Sequence, residues 1–586
     1  MSKLSRLVRD WIAQAKSLVA ERPAPALPEQ ATQEVVEDPS LRAQWQRVLD
    51  NSPEITKSLP PATGARVLFA TSWGSAEQCL VLESIFAMAL RMRGENPIML
   101  RCDSGLPACE YNPNAKFVAP YEDVKSNNAD KARTDICTQC TLDHHQGYGS
   151  LPIDTCAFND YAKHDDLARI LKIVDQVPFQ DFREFHYRGI AVGEHAFATT
   201  VRVQRRGTLI DNPETRAQSR RYLAASMMVV DLMERLIADI RPERVVAVHG
   251  VYVTHGTLCE VARKHDIPVV VYGTPLRKNS IWLSHKDTYH RTLISEPKAL
   301  WENLPLTPAR RDRMNSYIAG KRLGGREYAA YYKDSIDSPE AIKQELGLDP
   351  NLPVVSLFTN VLWDAQLFYQ YNAFDNMLDW LNRTINYFGE RDDVQLVVRV
   401  HPAEASGGRG TLPTNQPILA EIEREFPELP SNVKIIRPES KMNSYTLAEM
   451  SSAALIYGAR MGVEIAMLGV PLIVAGETFN RGKGYSYDVE SAEEYFELLD
   501  RVTELPRRVP ESIGLATKYA YHYFFKLMMD FPLYEVSDEF QVSGARLSFK
   551  TLDALVPGRC ASLDTICDGI VDGETPFLHD ELSDAA

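Results

Sequence analysis

Hydrophobic positions along this chain recur with two periods, and the change from one to the other marks its elements. Leu4, Leu7, Val8, Trp11, Ile12, Ala15, Leu18 and Val19 fall at helical spacing, with Lys3, Arg6, Arg9 and Lys16 on the flanks, which predicts a basic amphipathic helix. Residues 66–71 then read as a buried strand, and Ser75 with Gln78 as a capping box that opens a long apolar helix. Residues 97–101 form a second strand, and 244–249, 254–265 and 267–272 repeat strand, helix, strand. After a charged, helical stretch the rhythm restarts at 353–358. It continues through a helix at 374–388, strands at 394–400, 432–436 and 453–457, a helix at 461–468 and a strand at 471–475. Strand–helix alternation of this kind predicts an α/β fold of two doubly wound, Rossmann-like domains facing across a cleft, with ligands at the carboxyl ends of the strands.

The pattern divides the chain into an amphipathic membrane-surface helix (1–22), a Pro-rich linker (23–62), a first Rossmann-like, acceptor domain (63–300) and a helical connector (301–350). A second Rossmann-like, donor domain (351–505), C-terminal helices (506–556) and an acidic, solvated tail (557–586) follow. The 586 residues, 45% hydrophobic and 24% charged, suit a folded multi-domain protein. A net charge of −15 argues against a general nucleic-acid binder, so any anionic ligand must be met locally. Nine cysteines without a secretory signal suggest reduced thiols and a cytoplasmic location. The best membrane-spanning candidates, 222–240 and 453–475, are interrupted by Asp231, Glu234 and Arg235 and by Arg460 and Glu464. The expected membrane contact is therefore peripheral, through residues 1–22, with docking on the protein's own body or on a partner as the alternative.

Four stretches carry candidate chemistry. LVVRVHPAE delivers Arg399 and His401 near the end of a strand, followed by Pro402; a guanidinium fork and an imidazole suit a nucleotide phosphate, although the pair could be structural. YGARMGVEIAMLGVP brings Gly458, Arg460, Gly462 and Glu464 to a helix start, where Glu464 could accept ribose hydroxyls or pair with Arg460. GETFNRGKGYSYD sets Arg481 and Lys483 between glycines as a mobile basic clamp or a surface turn. FTNVLWD puts Thr359 and Asn360 at the end of the second domain's first strand. Neither a G-x-G-x-x-G fingerprint after a domain's first strand nor a P-loop is found, which disfavours hydride transfer and P-loop phosphoryl transfer.

Taken in order over residues 353–490, these stretches resemble the carboxyl-terminal half of bacterial capsule and lipopolysaccharide biosynthesis glycosyltransferases of the Kdo- and sialyltransferase-like GT-B type. The resemblance implies a two-Rossmann enzyme that holds a nucleotide-sugar donor in its second domain, extends a surface glycan or lipid-linked acceptor at the inner face of the cytoplasmic membrane, and works by inverting, metal-independent transfer. A CMP-linked 2-keto acid such as Kdo or a sialic-type sugar is the first donor it suggests. His401 with Pro402, and Ser451 with Ser452, match the family's phosphate-binding pairs. The family's general base lies in a pair of acids followed by glycine; here Asp103-Ser104-Gly105 keeps one acid, and His249 and His255 are the alternatives. A non-hydrolysing sugar-nucleotide epimerase and a non-catalytic, sugar-binding or scaffolding partner of a glycan assembly complex are the competing expectations. Separately, Cys102, Cys109, Cys137 and Cys140, with His144, His145 and Cys156 nearby, could hold a structural zinc or an iron–sulfur cluster, or be reduced thiols in an irregular loop. No cofactor is expected for catalysis itself.

Overall fold

The computed structural model describes residues 40–112, 135–273, 277–322, 335–406, 413–536, 545–580 and 582. The expected helix at 1–22 and the first part of the linker lie outside them. The first sheet contains β1 (Arg66–Phe69), β2 (Asn96–Arg101), β3 (Asp154–Ala157), β4 (Arg244–Val248), β5 (Val269–Gly273) and β6 (Ser280–His285). The second contains β7 (Val354–Phe358), β8 (Gln395–Arg399), β9 (Val433–Ile436), β10 (Ala453–Ile456), β11 (Leu472–Val474) and β12 (Tyr487–Asp488), and the late strand β13 (Met529–Asp530) returns to the first. Their spatial orders are β3-β2-β1-β4-β5-β6-β13 and β9-β8-β7-β10-β11-β12. The second sheet is parallel throughout, and in the first only β6 is reversed, pairing antiparallel with both β5 and β13. Both follow the doubly wound order, so the chain has the two-Rossmann architecture of the GT-B type.

Alternation along the strands decides which face each residue feeds. Leu68 stands opposite Ile98 and Val245 and packs into one core with the helices Val192–Gln204 and Pro213–Ile240. Val67, Phe69, Val246 and Val248 point the other way, under the helix Glu77–Met92. In the second sheet Leu357, opposite Val398 and Leu455, packs beneath the helix Met377–Gly389. Val354, Val397 and Ile456 face the helices Pro308–Arg322 and Pro510–Tyr521. Burial on both faces is why these strands are short apolar runs; each buried Leu, Ile or Phe contributes about 1.5–3 kcal/mol.

Several boundaries differ from the sequence expectation. The helix at Glu77–Met92 starts at Ala76 without a side-chain cap, so the expected capping box does not form. Leu41, Trp45 and Val48 of the helix Leu41–Asp50 are buried on the first domain, so the end of the expected linker is folded core. The connector supplies Trp301, Met314, Tyr317 and Ile342 to the second domain's core. Instead of a solvated tail, the helix Ala561–Asp572 buries Leu563, Ile566, Cys567 and Ile570 in the first domain, an apolar stripe at helical spacing within an acidic stretch.

The 222–240 candidate belongs to the inner helix Pro213–Ile240. Asp231 accepts from Arg169 and Tyr187, and Arg235 pairs with Asp166 at 2.5 Å, so its charges are neutralised inside the protein. No helix among the described residues is long and apolar enough to cross a membrane.

Candidate active site

A cavity of about 1690 Å³ lies where the carboxyl ends of β1, β4, β7, β8 and β10 approach one another, and residues of both sheets line it. The second domain contributes Thr359, Asn360, Arg399, His401, Pro402, Gly458, Arg460 and Glu464, and the first contributes His249. Strand ends deliver these groups, as the topology requires.

His401 follows β8. Its backbone N–H donates to Thr359 Oγ1 at 3.0 Å, and its Nδ1 accepts the amide of Ala403 at 3.1 Å. Burial and the nearby Arg460 and Arg399 push its pKa down to about 4, so the ring is neutral and carries its proton on Nε2. Asn360 Oδ1 accepts the Gly458 amide at 3.2 Å, tying two βα loops together. Arg460 is exposed on this wall.

Other expected donor-site residues have structural duties. Arg399 is buried and donates to the carbonyls of Arg437 (2.6 Å) and Ser440 (3.0 Å) and to Ser444 Oγ (3.4 Å), so its fork braces a loop. Glu464 is held by Lys321 Nζ at 2.5 Å and by the Tyr445 hydroxyl rather than by Arg460. Ser451 donates to the Leu447 carbonyl at 2.7 Å, and Ser452 N–H to Val354 O. Both serines precede β10 and so sit at its amino end, away from the cleft, whereas Ser444 lines the cleft.

Gly462 also lies outside the cleft lining; a Cβ there would meet Ile456 at 2.7 Å and Asn480 at 2.8 Å, so it is a packing glycine. The expected basic clamp is spent on backbone: Arg481 donates to Val489 O (2.8 Å), and Lys483 to Leu293 O (2.9 Å) and Ile294 O (3.3 Å). Burial pulls the Lys483 ammonium down to about 8.

Among the expected catalytic residues, His249 faces the cleft. It adopts a left-handed backbone (φ +61°), stacks on Tyr252 at 5.2 Å and lies 5.2 Å from His290, and its Nδ1 has no hydrogen-bond partner. A left-handed non-glycine costs about 1–2 kcal/mol, which marks the loop as held in place by its surroundings. Burial and the neighbouring His290 and Arg202 hold its pKa well below the usual histidine range. His255 is instead buried edge-on to Trp73 at 4.0 Å and contributes nothing to the cleft lining. Asp103 faces away too, its carboxylate 3.2 Å from Arg101 and 3.7 Å from His145.

The cleft holds groups that sequence patterns did not single out. Glu110, seven residues beyond Asp103, lines it; Thr254 Oγ1 donates to both its oxygens at 2.9 Å, and burial pushes its carboxyl up to about 7. Arg202 of the first domain reaches Asp364 of the second at 3.1 Å and lies over Tyr252 and Trp363. Burial works against the Asp364 carboxylate, but the facing Arg202 guanidinium outweighs it and holds the group below the usual carboxylate range.

No protein-family model matches the chain, and no curated protein does. Among solved structures, KpsC of Thermosulfurimonas dismutans, a beta Kdo 2,4 transferase, aligns at 16% identity over 54% of this chain and 87% of its own, with a TM-score of 0.31. The beta Kdo 2,7 transferase of the same KpsC aligns at 13% over 58% and 88%, TM-score 0.29. A UDP-GlcNAc 2-epimerase from Neisseria meningitidis bound to UDP-GlcNAc aligns at 11% over 78% and 99%, TM-score 0.22. At such scores the chemistry rests on the chain's own cleft.

Proposed function

We propose that this protein is a GT-B glycosyltransferase that moves a sugar from a nucleotide donor to an acceptor hydroxyl. The observation that supports it is the facing of unlike groups across one cleft. A carboxyl of the first domain, Glu110, titrates near neutrality at about 7, and the second domain presents a neutral imidazole, His401, with the cationic Arg460. Glu110 takes the proton of the acceptor hydroxyl, whose oxygen attacks the anomeric carbon. The bond from that carbon to the donor phosphate breaks, and the negative charge left on the phosphate is met by His401 Nε2–H and Arg460. A single displacement inverts the anomeric centre.

The resemblance of the His401–Pro402 pair supports a CMP-linked 2-keto acid as donor. Phe368, 67% exposed in the cleft lining, suits an amphiphilic, lipid-linked glycan as acceptor. Residues 1–22 would then hold the enzyme on the inner face of the cytoplasmic membrane.

Product analysis with a CMP-linked 2-keto sugar and a lipid-linked glycan tests the reading. Transfer that needs both substrates, with inversion at the anomeric carbon, is expected. Conversion of a sugar nucleotide without acceptor would make the protein an epimerase, and no turnover with any donor would leave a binding partner.

A further inference from the structure

The cysteines form a second centre behind the cleft wall, independent of the transferase reading. Cys102 leaves the end of β2, Cys109 sits in the loop beyond it, and Cys137 and Cys140 are spaced one turn apart on the helix Asp135–Tyr148. All four line one small cavity of about 30 Å³, together with His144 and Thr254. The fold gathers two cysteine pairs that are far apart in sequence, which chance packing of thiols does not require.

The surroundings suit sulfur ligands. The Gly74 amide donates to Cys140 Sγ at 3.1 Å, and Asn112 Nδ2 donates to Cys137 Sγ at 3.1 Å, the kind of hydrogen bond that stabilises ligating thiolates. His144 is only 2% exposed, and neither ring nitrogen has a hydrogen-bond partner of normal geometry, the Thr71 backbone making a looser approach. A Cβ on Gly74 would fall 1.7 Å from the Cys140 carbonyl, so only glycine lets this loop close onto the helix. Asp103 and Ser104 both take left-handed backbone (φ +45° and +59°), strain borne by the loop that joins Cys102 to Cys109.

No group of three His, Cys, Asp or Glu side chains among the described residues is disposed to share a single ion. A lone zinc would draw every sulfur to about 2.3 Å. A sulfide-bridged cluster distributes its thiolates over separate irons and accepts sulfurs that stand further apart. We propose that Cys102, Cys109, Cys137 and Cys140 ligate an iron–sulfur cluster that clamps the 102–112 loop against the helix Asp135–Tyr148. The clamp fixes Glu110, the neighbour of Cys109 and the partner of Thr254, at the cleft wall.

The test uses the full chain, purified without oxygen and, once stripped, reconstituted with ferric iron, sulfide and a thiol reductant. Iron and acid-labile sulfide in equal amounts, with a broad charge-transfer absorption in the visible, are expected. The signal should be lost in the Cys137→Ser/Cys140→Ser double variant and kept in Cys560→Ser. Folded protein that takes up no iron and sulfide, takes up zinc alone when all are offered, or keeps the absorption in the double variant overturns the proposal. Should the double variant fail to fold, reconstitution of the unmodified chain, monitored by circular dichroism and absorption, still decides it.

Discussion

Glu110 and His401 owe their states to their surroundings more than to their residue types. Burial raises the Glu110 carboxyl to about 7, so it is poised to accept a proton at neutral pH; Thr254 fixes its orientation. Glu110→Gln keeps the shape and the neutral form. It is expected to lower kcat by roughly 10²- to 10⁴-fold, to leave nucleotide binding intact and to remove the rise of rate with pH through about 7. Unchanged turnover in that variant would assign the base elsewhere, His249 being the nearest candidate in the cleft. Lys483 makes a contrasting case. Its ammonium is spent on two carbonyls and Lys483 does not line the cleft, so Lys483→Met should cost roughly 1–3 kcal/mol of stability and leave nucleotide affinity as it was. A large loss of affinity at unchanged stability would restore the basic-clamp role.

At the scale of elements, strand ends determine what reaches the cleft. Thr359, His401 and Gly458 follow β7, β8 and β10 and are therefore legible from buried runs that end in polar residues. The serine pair was misplaced by motif likeness, because a strand's direction separates Ser451 and Ser452 from the ligand side even though both are close in sequence to Gly458. Arg399 was legible as a strand-end arginine, but its capture by the Arg437 and Ser440 carbonyls depends on how β8 and β9 are joined. Glu110, Arg202 and His290 carry no local pattern, and Asp364, although it ends the FTNVLWD stretch, meets them only through tertiary packing. β3, only four residues long and half exposed, lacks a hydrophobic run. The helix Ala561–Asp572 does carry an apolar stripe, which its acidic composition outweighed.

The Arg202–Asp364 contact joins the two domains at the cleft. Arg202→Ala is expected to raise the KM for both substrates while the fold, judged by circular dichroism, survives; an unchanged KM would show that the contact does not organise the cleft.

For the whole molecule, buried titratable groups give the stability a definite pH dependence. His144 and His255, held at about 3, and His290 and His401, held at about 4, are neutral when folded and bind protons more readily when unfolded. Their contribution is complete above about 6.5 and is lost as pH falls toward these values. Glu83 at about 8, and Glu110 and Glu404 at about 7, hold protons longer when folded. Their contribution is present below about 4.5 and is lost as pH rises through about 7–8. Above about 6.5 only this second slope remains among these groups, so stability should decline from there toward about pH 8.5. Glu83→Gln should flatten that decline, as read by denaturant midpoints across the range; an equally steep decline in the variant would remove Glu83 as its source. Removing residues 1–22 should release the protein from the membrane fraction, and retention there would argue against the peripheral anchor.

The central claim, a nucleotide-sugar site organised around His401, is tested most directly by thermal-shift titration of the purified protein with CMP, CDP, UDP, GDP and ADP, beside His401→Ala. Ligand that binds only the folded state raises its stability by mass action. A rise in Tm confined to CMP and lost in the variant is the predicted result. A rise with UDP or GDP instead would move the donor to other sugars, and no rise with any of the five nucleotides would contradict the account.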